Sequence, residues 1–144
     1  MAALQKFNNF GRACLQGYHR WDVDHFRVML TNVAPVAANS VFADVAAGEI
    51  ASGGSPPSGY PSGGGMLTGV ALSLTGAVAK VVVGDYTFTA TGVFGPFRYG
   101  VIYNDDSGGK QLVGWFDHGA SVTLAASETF KVDFDATAGL FTLA

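Results

Sequence analysis

The chain has few charged side chains. Asp, Glu, Lys and Arg together make up 13% of its 144 residues, against about 25% in a typical soluble domain. Hydrophobic residues, by contrast, reach 49%. A surface this poor in charge belongs either to a membrane protein or to a protein whose surface is largely covered by other protein molecules.

Long hydrophobic runs are missing as well, which argues against a membrane protein. A membrane helix needs about 18–20 consecutive apolar residues, and the best run here, AVAKVVVG, is interrupted by Lys80. The N-terminal segment has neither the apolar region nor the small-residue cleavage site of a signal peptide. We therefore expect no membrane partner and a surface that is buried by assembly with protein.

The sequence also lacks a basic stripe, and it has a single cysteine. Its eight Lys and Arg residues are scattered singly, so no row of cations would follow a phosphate backbone, and we expect no direct binding of nucleic acid. One cysteine cannot form an internal disulfide or a multi-cysteine metal site. Because this Cys14 stands beside Leu15 in a predicted helix, we interpret it as a small buried hydrophobe.

One N-terminal α-helix is predicted, over residues 3–18. Apolar residues recur there at spacings of three and four, which places them on one helical face; they are Leu4, Phe7, Phe10, Cys14, Leu15 and Tyr18. Gly11 and Gly17 each weaken a helix by about 1 kcal/mol, so this helix should hold only by packing on a sheet. A short helical turn is also expected at Ser40–Val45, with Ser40 as its cap.

The rest of the chain is predicted to be strands separated by glycine-containing turns. Alternation is clear in TFKVDFD, where Phe130, Val132 and Phe134 face one side and charged residues face the other. Many short strands in series are typical of a mainly β fold, here an antiparallel β-sandwich that is jelly-roll-like or immunoglobulin-like. The expected strands are residues 26–32, 66–74, 78–83, 86–92, 97–104, 111–117, 120–125, 129–135 and 140–144.

A stretch rich in glycine, serine and proline, residues 48–65, interrupts this pattern. It holds seven glycines, four serines and three prolines. The one strand predicted before it cannot form a domain alone, so we expect residues 1–144 to be a single β-sandwich domain with a long internal loop. Such loops are usually functional or disordered. Tyr60, between Gly59 and Pro61, indicates order, which we expect a neighbouring subunit to supply; a surface excursion without a role is the alternative.

Two polar clusters have the residue types of metal sites without their spacing. The segment HRWDVDH contains His19, Asp22, Asp24 and His25. Neither a strand nor a helix would bring all four side chains together. A zinc site would also require a further Cys or His at a fixed spacing. Solvated carboxylates, paired with Arg20 and Arg27, are the favoured interpretation. The segment NDDSGGK lacks the ligand ladder of a calcium loop, so it is interpreted as the tip of a hairpin.

Nothing in the sequence indicates catalysis. Asp117, His118 and Ser121 are near one another, but no G-x-S-x-G context supports a catalytic triad. The glycine-rich stretch has no G-x-x-x-x-G-K-[ST] pattern and no helix after it, so it is not a phosphate-binding loop. We therefore expect no enzyme activity, no cofactor and no metal.

Aromatic residues concentrate in the predicted hairpin between residues 94 and 116. Alternation places four residues of the first strand on one face; they are Phe97, Tyr99, Val101 and Tyr103. Because the opposite face is also largely apolar, the strand should be central in the sandwich or lie at a protein interface. Carbohydrate stacking on an aromatic such as Trp115 stays open as an alternative.

Several segments together resemble a group of small virion proteins from tailed bacteriophages. They are LTNVAPVAANSVFADVA, the loop ending in GYPSGGGMLT, FGPFRYGVIYND, LVGWFDHGASVTL and ETFKVDFDATAGLFTLA. The resemblance runs from about Phe7 to Ala144 and lies in the order of these segments rather than in a catalytic signature. It implies a non-enzymatic structural component that is associated with head decoration (cement) more than with the tail.

The resemblance and the composition lead to one expected function. The chain would be a capsid decoration protein, made in the host bacterial cytoplasm and placed on the virion surface. It would bridge copies of the major capsid protein and form a homo-oligomer, for which we expect a trimer. The expected interface residues are Gly54, Pro57, Tyr60, Pro61, Asp105, Asp106 and Gly108. The alternatives are a tail or neck adaptor or fibre-anchoring component, and a carbohydrate-binding module for host recognition.

Overall fold

The computed structural model describes residues 3–50 and 59–143. Strands account for 44% of the residues and helices for 9%, so the predicted mainly β class is confirmed. The N-terminal elements are β1 (Gln5–Lys6), α1 (Phe10–Leu15), β2 (Phe26–Thr31) and two 3-10 turns, Phe42–Asp44 and Ala46–Gly48. The later elements are β3 (Gly65–Met66), β4 (Ala71–Thr75), β5 (Val78–Val82), β6 (Tyr86–Thr89), β7 (Phe94–Asn104), β8 (Leu112–Leu124), β9 (Thr129–Val132) and β10 (Phe141–Leu143).

These strands form three antiparallel sheets. The central sheet has five strands in the order β1-β8-β7-β2-β3. A three-stranded sheet, β10-β5-β4, and a two-stranded sheet, β6-β9, complete the described part of the fold. The arrangement is the β-sandwich-like architecture that the alternating pattern predicts.

The central sheet is apolar on both faces. On β2, Val28 and Leu30 point into a large cluster shared with the two smaller sheets, whereas Met29 points into a second, smaller cluster. Strand β7 alternates in the same way, with Ile102 in the large cluster and Val101 in the small one. Strands buried on both sides carry apolar side chains at consecutive positions, which is why these two strands look like continuous apolar runs.

The helix is shorter than the prediction over residues 3–18. Phe7 packs in the small cluster and Phe10 in the large one, so the two rings lie on opposite faces of the central sheet. A single helical stripe cannot reach both faces. The chain instead pairs Gln5 with Trp115 of β8, crosses the sheet edge, and forms only six helical residues.

Two further residues mark where the predicted helical face fails. Leu15 is 92% exposed, and Gly17 has a φ of 78°, which a helix does not tolerate. Within the described part of the chain, no helix is long and apolar enough to cross a bilayer.

Strands β7 and β8 extend through segments that were predicted as turns. Residues 94–96 belong to β7, and the two strands predicted at 111–117 and 120–125 are the single strand β8. The register shifts between Phe97 and Tyr99. This irregularity moves Phe97 into the large cluster, so the prediction that Phe97 shares a face with Tyr99 was wrong.

The short turn expected near Ser40–Val45 is present as Phe42–Asp44, but its cap differs. The carboxylate of Asp44 accepts hydrogen bonds from the backbone N–H groups of Ser40 and Val41, at 2.8 and 3.1 Å. These bonds lower the pKa of Asp44. The acidic residue at the end of the turn therefore does the capping that was expected of Ser40.

Candidate functional site

The candidate site lies where the glycine-rich loop meets strand β2. We call residues 49–50 and 59–65, which flank residues 51–58, the loop stem. The buried carboxylate of Glu49 accepts a hydrogen bond from the Tyr60 hydroxyl at 2.8 Å and another from the Gly63 N–H at 2.7 Å. The backbone N–H of Ile50 donates to the Leu30 carbonyl at 3.0 Å. Both ends of the loop are therefore fastened to the same part of the molecule.

Tyr60 is a core residue of its own chain. It is 5% exposed, and its ring lies 5.8 Å from that of Phe88 and 5.7 Å from that of Phe94. Its hydroxyl also accepts a hydrogen bond from the Leu30 N–H at 3.2 Å. The expectation that a neighbouring subunit orders Tyr60 is thus corrected, because this ring is already enclosed.

Burial also sets the protonation of this hydroxyl. Desolvation raises the pKa of Tyr60 above its ordinary value, since an ionised phenol would lose its hydration in the core. The hydroxyl therefore stays protonated and donates to Glu49. The pair acts as a fixed hydrogen bond between two sides of the stem.

The rest of the stem packs tightly on β2. A Cβ atom at Gly64, whose φ is 92°, would lie 2.2 Å from the Val28 carbonyl oxygen, so only glycine fits this approach. The half-buried Pro61 begins a turn in which its carbonyl accepts from the Gly64 N–H at 2.8 Å. On the other side, the Tyr103 hydroxyl donates to the Gly63 carbonyl at 2.5 Å.

Arg27 joins the loop stem to the tip of the β7–β8 hairpin. Its guanidinium donates to the Gly64 carbonyl at 3.1 Å and to the Asp105 carboxylate at 2.8 Å. Lys110 donates to the other oxygen of Asp105 at 2.7 Å. Burial raises the pKa of Asp105, but the hydrogen bonds from Lys110 and Arg27 outweigh it and hold the pKa below its usual range. The loop stem and the hairpin tip are therefore directly connected.

The hairpin tip also meets the HRWDVDH segment. The Asp106 carboxylate accepts from the backbone N–H of His25 at 2.8 Å and lies 2.7 Å from the His25 ring nitrogen Nδ1. These contacts lower the pKa of Asp106. Asn104 donates to the Asp24 carboxylate at 2.8 Å. The two polar clusters of the sequence thus interlock, with Arg27 bound to Asp105 instead of the acids of its own segment.

The remaining predicted interface residues differ in what surrounds them. Gly108 is exposed, with open space where a Cβ would lie. Gly54 and Pro57 lie outside the described residues.

The other polar candidates are engaged separately. Asp117 forms two hydrogen bonds with the Arg98 guanidinium, at 2.7 and 3.0 Å. The Ser121 hydroxyl donates to Asn32 at 2.7 Å, and the His118 ring packs edge-on against Phe130. The structure therefore does not join Asp117, His118 and Ser121 into a hydrogen-bonded chain.

A cleft of about 830 Å³ lies beside β5 and the segment after β9. Three of its lining residues are Asp85, Asp133 and Asp135. Asp85 is bound to Lys131 at 2.9 Å and accepts from the Phe134 N–H at 2.8 Å. Among the residues that the structure describes, no group of three His, Cys, Asp or Glu side chains is placed to hold a metal ion.

One surface was missed by sequence analysis. Residues 71–79, which form β4, the following turn and the start of β5, are all exposed. They include Leu72, Leu74 and Val78, at 55%, 73% and 40% exposure. A signal was present, because Lys80 is the one charged residue between Ile50 and Gly84.

Comparison with known proteins adds no relative to this description. No family model matches the chain, and neither the curated proteins nor the solved structures that were searched contain a match.

Proposed function

We propose that the chain is a structural protein of a bacteriophage virion, a decoration protein that binds the outer surface of the head. One observation carries the proposal: the described surface presents many large apolar side chains with few charges between them. Leu74 and Val93 are 73% and 74% exposed, and Leu15 is 92% exposed. Apolar side chains displayed in this number are stabilised when another protein covers them.

The loop stem gives the proposal a second support. Stem and hairpin tip are braced by Arg27 and Tyr103, so a contact made there would not have to order these parts first. Ordering a flexible partner costs free energy that is subtracted from binding. A braced surface repeated over a shell would also gain from multivalency, since each bound contact raises the effective concentration of the next.

The proposal predicts that residues 52–57 contribute to binding of the head. Deleting residues 53–64 would be a poor test, because that deletion removes Tyr60 and the packed Gly64 and so damages the fold. A better variant replaces Pro56 and Pro57 with serine at unchanged length, because residues 52–55 are already Ser, Gly, Gly and Ser. We expect normal thermal unfolding but at least tenfold weaker binding to purified heads in a co-sedimentation assay. A variant that binds heads as tightly as wild type would contradict the loop's role.

Copy number distinguishes decoration from a tail or neck component. A decoration protein repeats over the whole shell, on the order of hundreds of copies per virion. A tail or neck component forms a single ring of roughly six to twelve copies. Quantitative mass spectrometry of purified virions measures this number directly. A count in the lower range would replace the decoration proposal with the adaptor.

The carbohydrate-binding alternative draws little support from the described residues. Trp115 is 8% exposed and packs on Phe7 at 4.6 Å between ring centroids. Tyr60 is enclosed as well. Neither ring offers an open face to a sugar.

A further inference from the structure

Strand β4 is an unprotected sheet edge. It is the outer strand of the sheet β10-β5-β4, and all five of its residues are exposed. No described residue pairs with its outer side. The backbone N–H and C=O groups on that side are therefore available to another strand.

One face of this sheet packs on the core, and the same face continues past the edge of the core. Residues directly opposite one another in an antiparallel sheet point to the same side, and Leu72, Val81 and Phe141 form one such row. Val81 and Phe141 are buried in the large cluster. The next row is Leu74, Ala79 and Leu143, of which Leu74 and Leu143 are 73% and 47% exposed. The core ends after the first row, and the leucines of the sheet continue into solvent.

Charge does not protect this edge. Exposed edges are normally blunted by lysine, proline or a bulge, and β4 has the sequence ALSLT with none of these. The one nearby cation, Lys80, is opposite Ser73 on the other face of the sheet and donates to the Thr137 carbonyl at 2.8 Å. An uncharged edge beside exposed leucines favours pairing with another strand.

We propose that β4 pairs antiparallel with β4 of a second copy of this chain, about a two-fold axis at Ser73. The two three-stranded sheets then become one sheet of six strands. In this register Ser73 is opposite Ser73 of the second copy, and Leu72 is opposite its Leu74. Leu72 and Leu74 of the two copies would then form one continuous apolar patch on the same face of the joined sheet.

The sequence of the strand selects a second copy as the occupant. Reversal about Ser73 exchanges Leu72 with Leu74, so the edge is complementary to itself, as an isologous interface requires. Each chain has a formal net charge of −3, and like net charges oppose self-association in general. Between Ala71 and Ala79 there is no charge to oppose it.

The area indicates a weak dimer in dilute solution. A standard stable interface takes about 20–30 residues from each partner. Residues 71–79 with Leu143 supply ten, at most half of that number, so we expect a dissociation constant in the micromolar range. The inference concerns the free chain and does not depend on binding to a phage head.

Sedimentation velocity of the purified chain over a concentration series tests the proposal. We expect a monomer–dimer equilibrium that Leu74→Lys weakens at least tenfold. Val93→Lys is the matched control, because Val93 is 74% exposed and lies outside this surface, and it should leave the equilibrium unchanged. A wild-type chain that stays monomeric, or a Leu74→Lys variant that associates like wild type, overturns the proposal.

Cysteine cross-linking tests the register itself. In a Cys14→Ala background, Ser73→Cys should give a disulfide-linked dimer on mild oxidation, because the paired Cα atoms would be about 4.5–5.5 Å apart, within disulfide range. Thr75→Cys is the control. Its side chain points to the same face as that of Ser73, but the Thr75 positions of the two chains would lie about 13 Å apart along the strands. Efficient cross-linking at Thr75 and none at Ser73, or a trimer without Ser73 cross-links, overturns the two-fold pairing.

Discussion

Individual polar side chains fix the loop stem to the sandwich. Glu49 accepts hydrogen bonds from both Tyr60 and Gly63, and the Tyr60 hydroxyl accepts one from Leu30. A buried group that loses such a partner keeps its desolvation cost without compensation. These residues therefore matter for the position of the loop whatever the loop binds.

We predict that Tyr60→Phe lowers the free energy of unfolding by about 1–3 kcal/mol, because the Leu30 N–H and the Glu49 carboxylate each lose a buried partner. Urea denaturation followed by tryptophan fluorescence measures the change. Tyr18→Phe is the control: Tyr18 is 40% exposed, and its substitution should change stability by less than about 0.5 kcal/mol. Equal effects of the two substitutions would contradict the enclosed role of Tyr60.

At the scale of elements, strand alternation correctly placed Phe130, Val132 and Phe134 on one side but failed at Phe97, and helical periodicity failed over residues 3–18. Spacing alone placed Phe7 and Phe10 on one helical face. The sheet between them could not be foreseen, because the partner of Gln5 is Trp115, far along the chain. Register irregularities such as the one between Phe97 and Tyr99 also depend on the neighbouring strand.

At the candidate site, too, local sequence patterns predicted the segments but not the contacts between them. The loop and the hairpin tip were both recognised from their turn residues. Their connection was not, since it requires Arg27 of β2 to reach Gly64 and Asp105 at once. Local sequence marks the segments, while tertiary contacts decide which of them touch.

The pairing of β7 with β8 leads to a prediction at this scale. A Cβ atom at Gly100 would lie 2.3 Å from the ring of Phe116, so Gly100→Ala should overpack the core and destabilise the protein by about 1–3 kcal/mol. Gly108→Ala is the matched control, because open space surrounds that position. Thermal unfolding of both variants is the measurement, and a Gly100→Ala midpoint equal to that of Gly108→Ala would contradict the close packing.

The molecule as a whole should lose stability in two stages as the pH falls. His19 is buried, and desolvation lowers its pKa to about 4, with the nearby Asp24 charge opposing the shift. In the unfolded chain a histidine titrates near 6.5. Between about pH 6.5 and 4 the unfolded state therefore binds a proton that the folded state does not. The contribution of His19 is complete above this window and is lost on descending through it.

We predict that His19→Leu removes this first stage. Wild-type stability should fall by up to about 1.4 kcal/mol per pH unit within the window, and the variant should be flatter there by that amount. Both should fall again at lower pH, where carboxylates with lowered pKa values such as Asp105 become protonated. Urea midpoints at several pH values measure the slope, with the exposed His118→Gln as control. An unchanged slope in His19→Leu would show that another group titrates.

The strands differ in how many residue pairs hold them to their neighbours, and this difference sets the order in which parts of the molecule unfold. β7 and β8 are adjacent in sequence and pair along most of their length, so their contacts close at a small entropic cost. β1 is held to β8 by only two residue pairs. Local opening is easiest where few contacts must break, so the N-terminal segment should detach as a separate unit. It would take Phe7 away from Trp115 and expose that ring while the central hairpin remains intact.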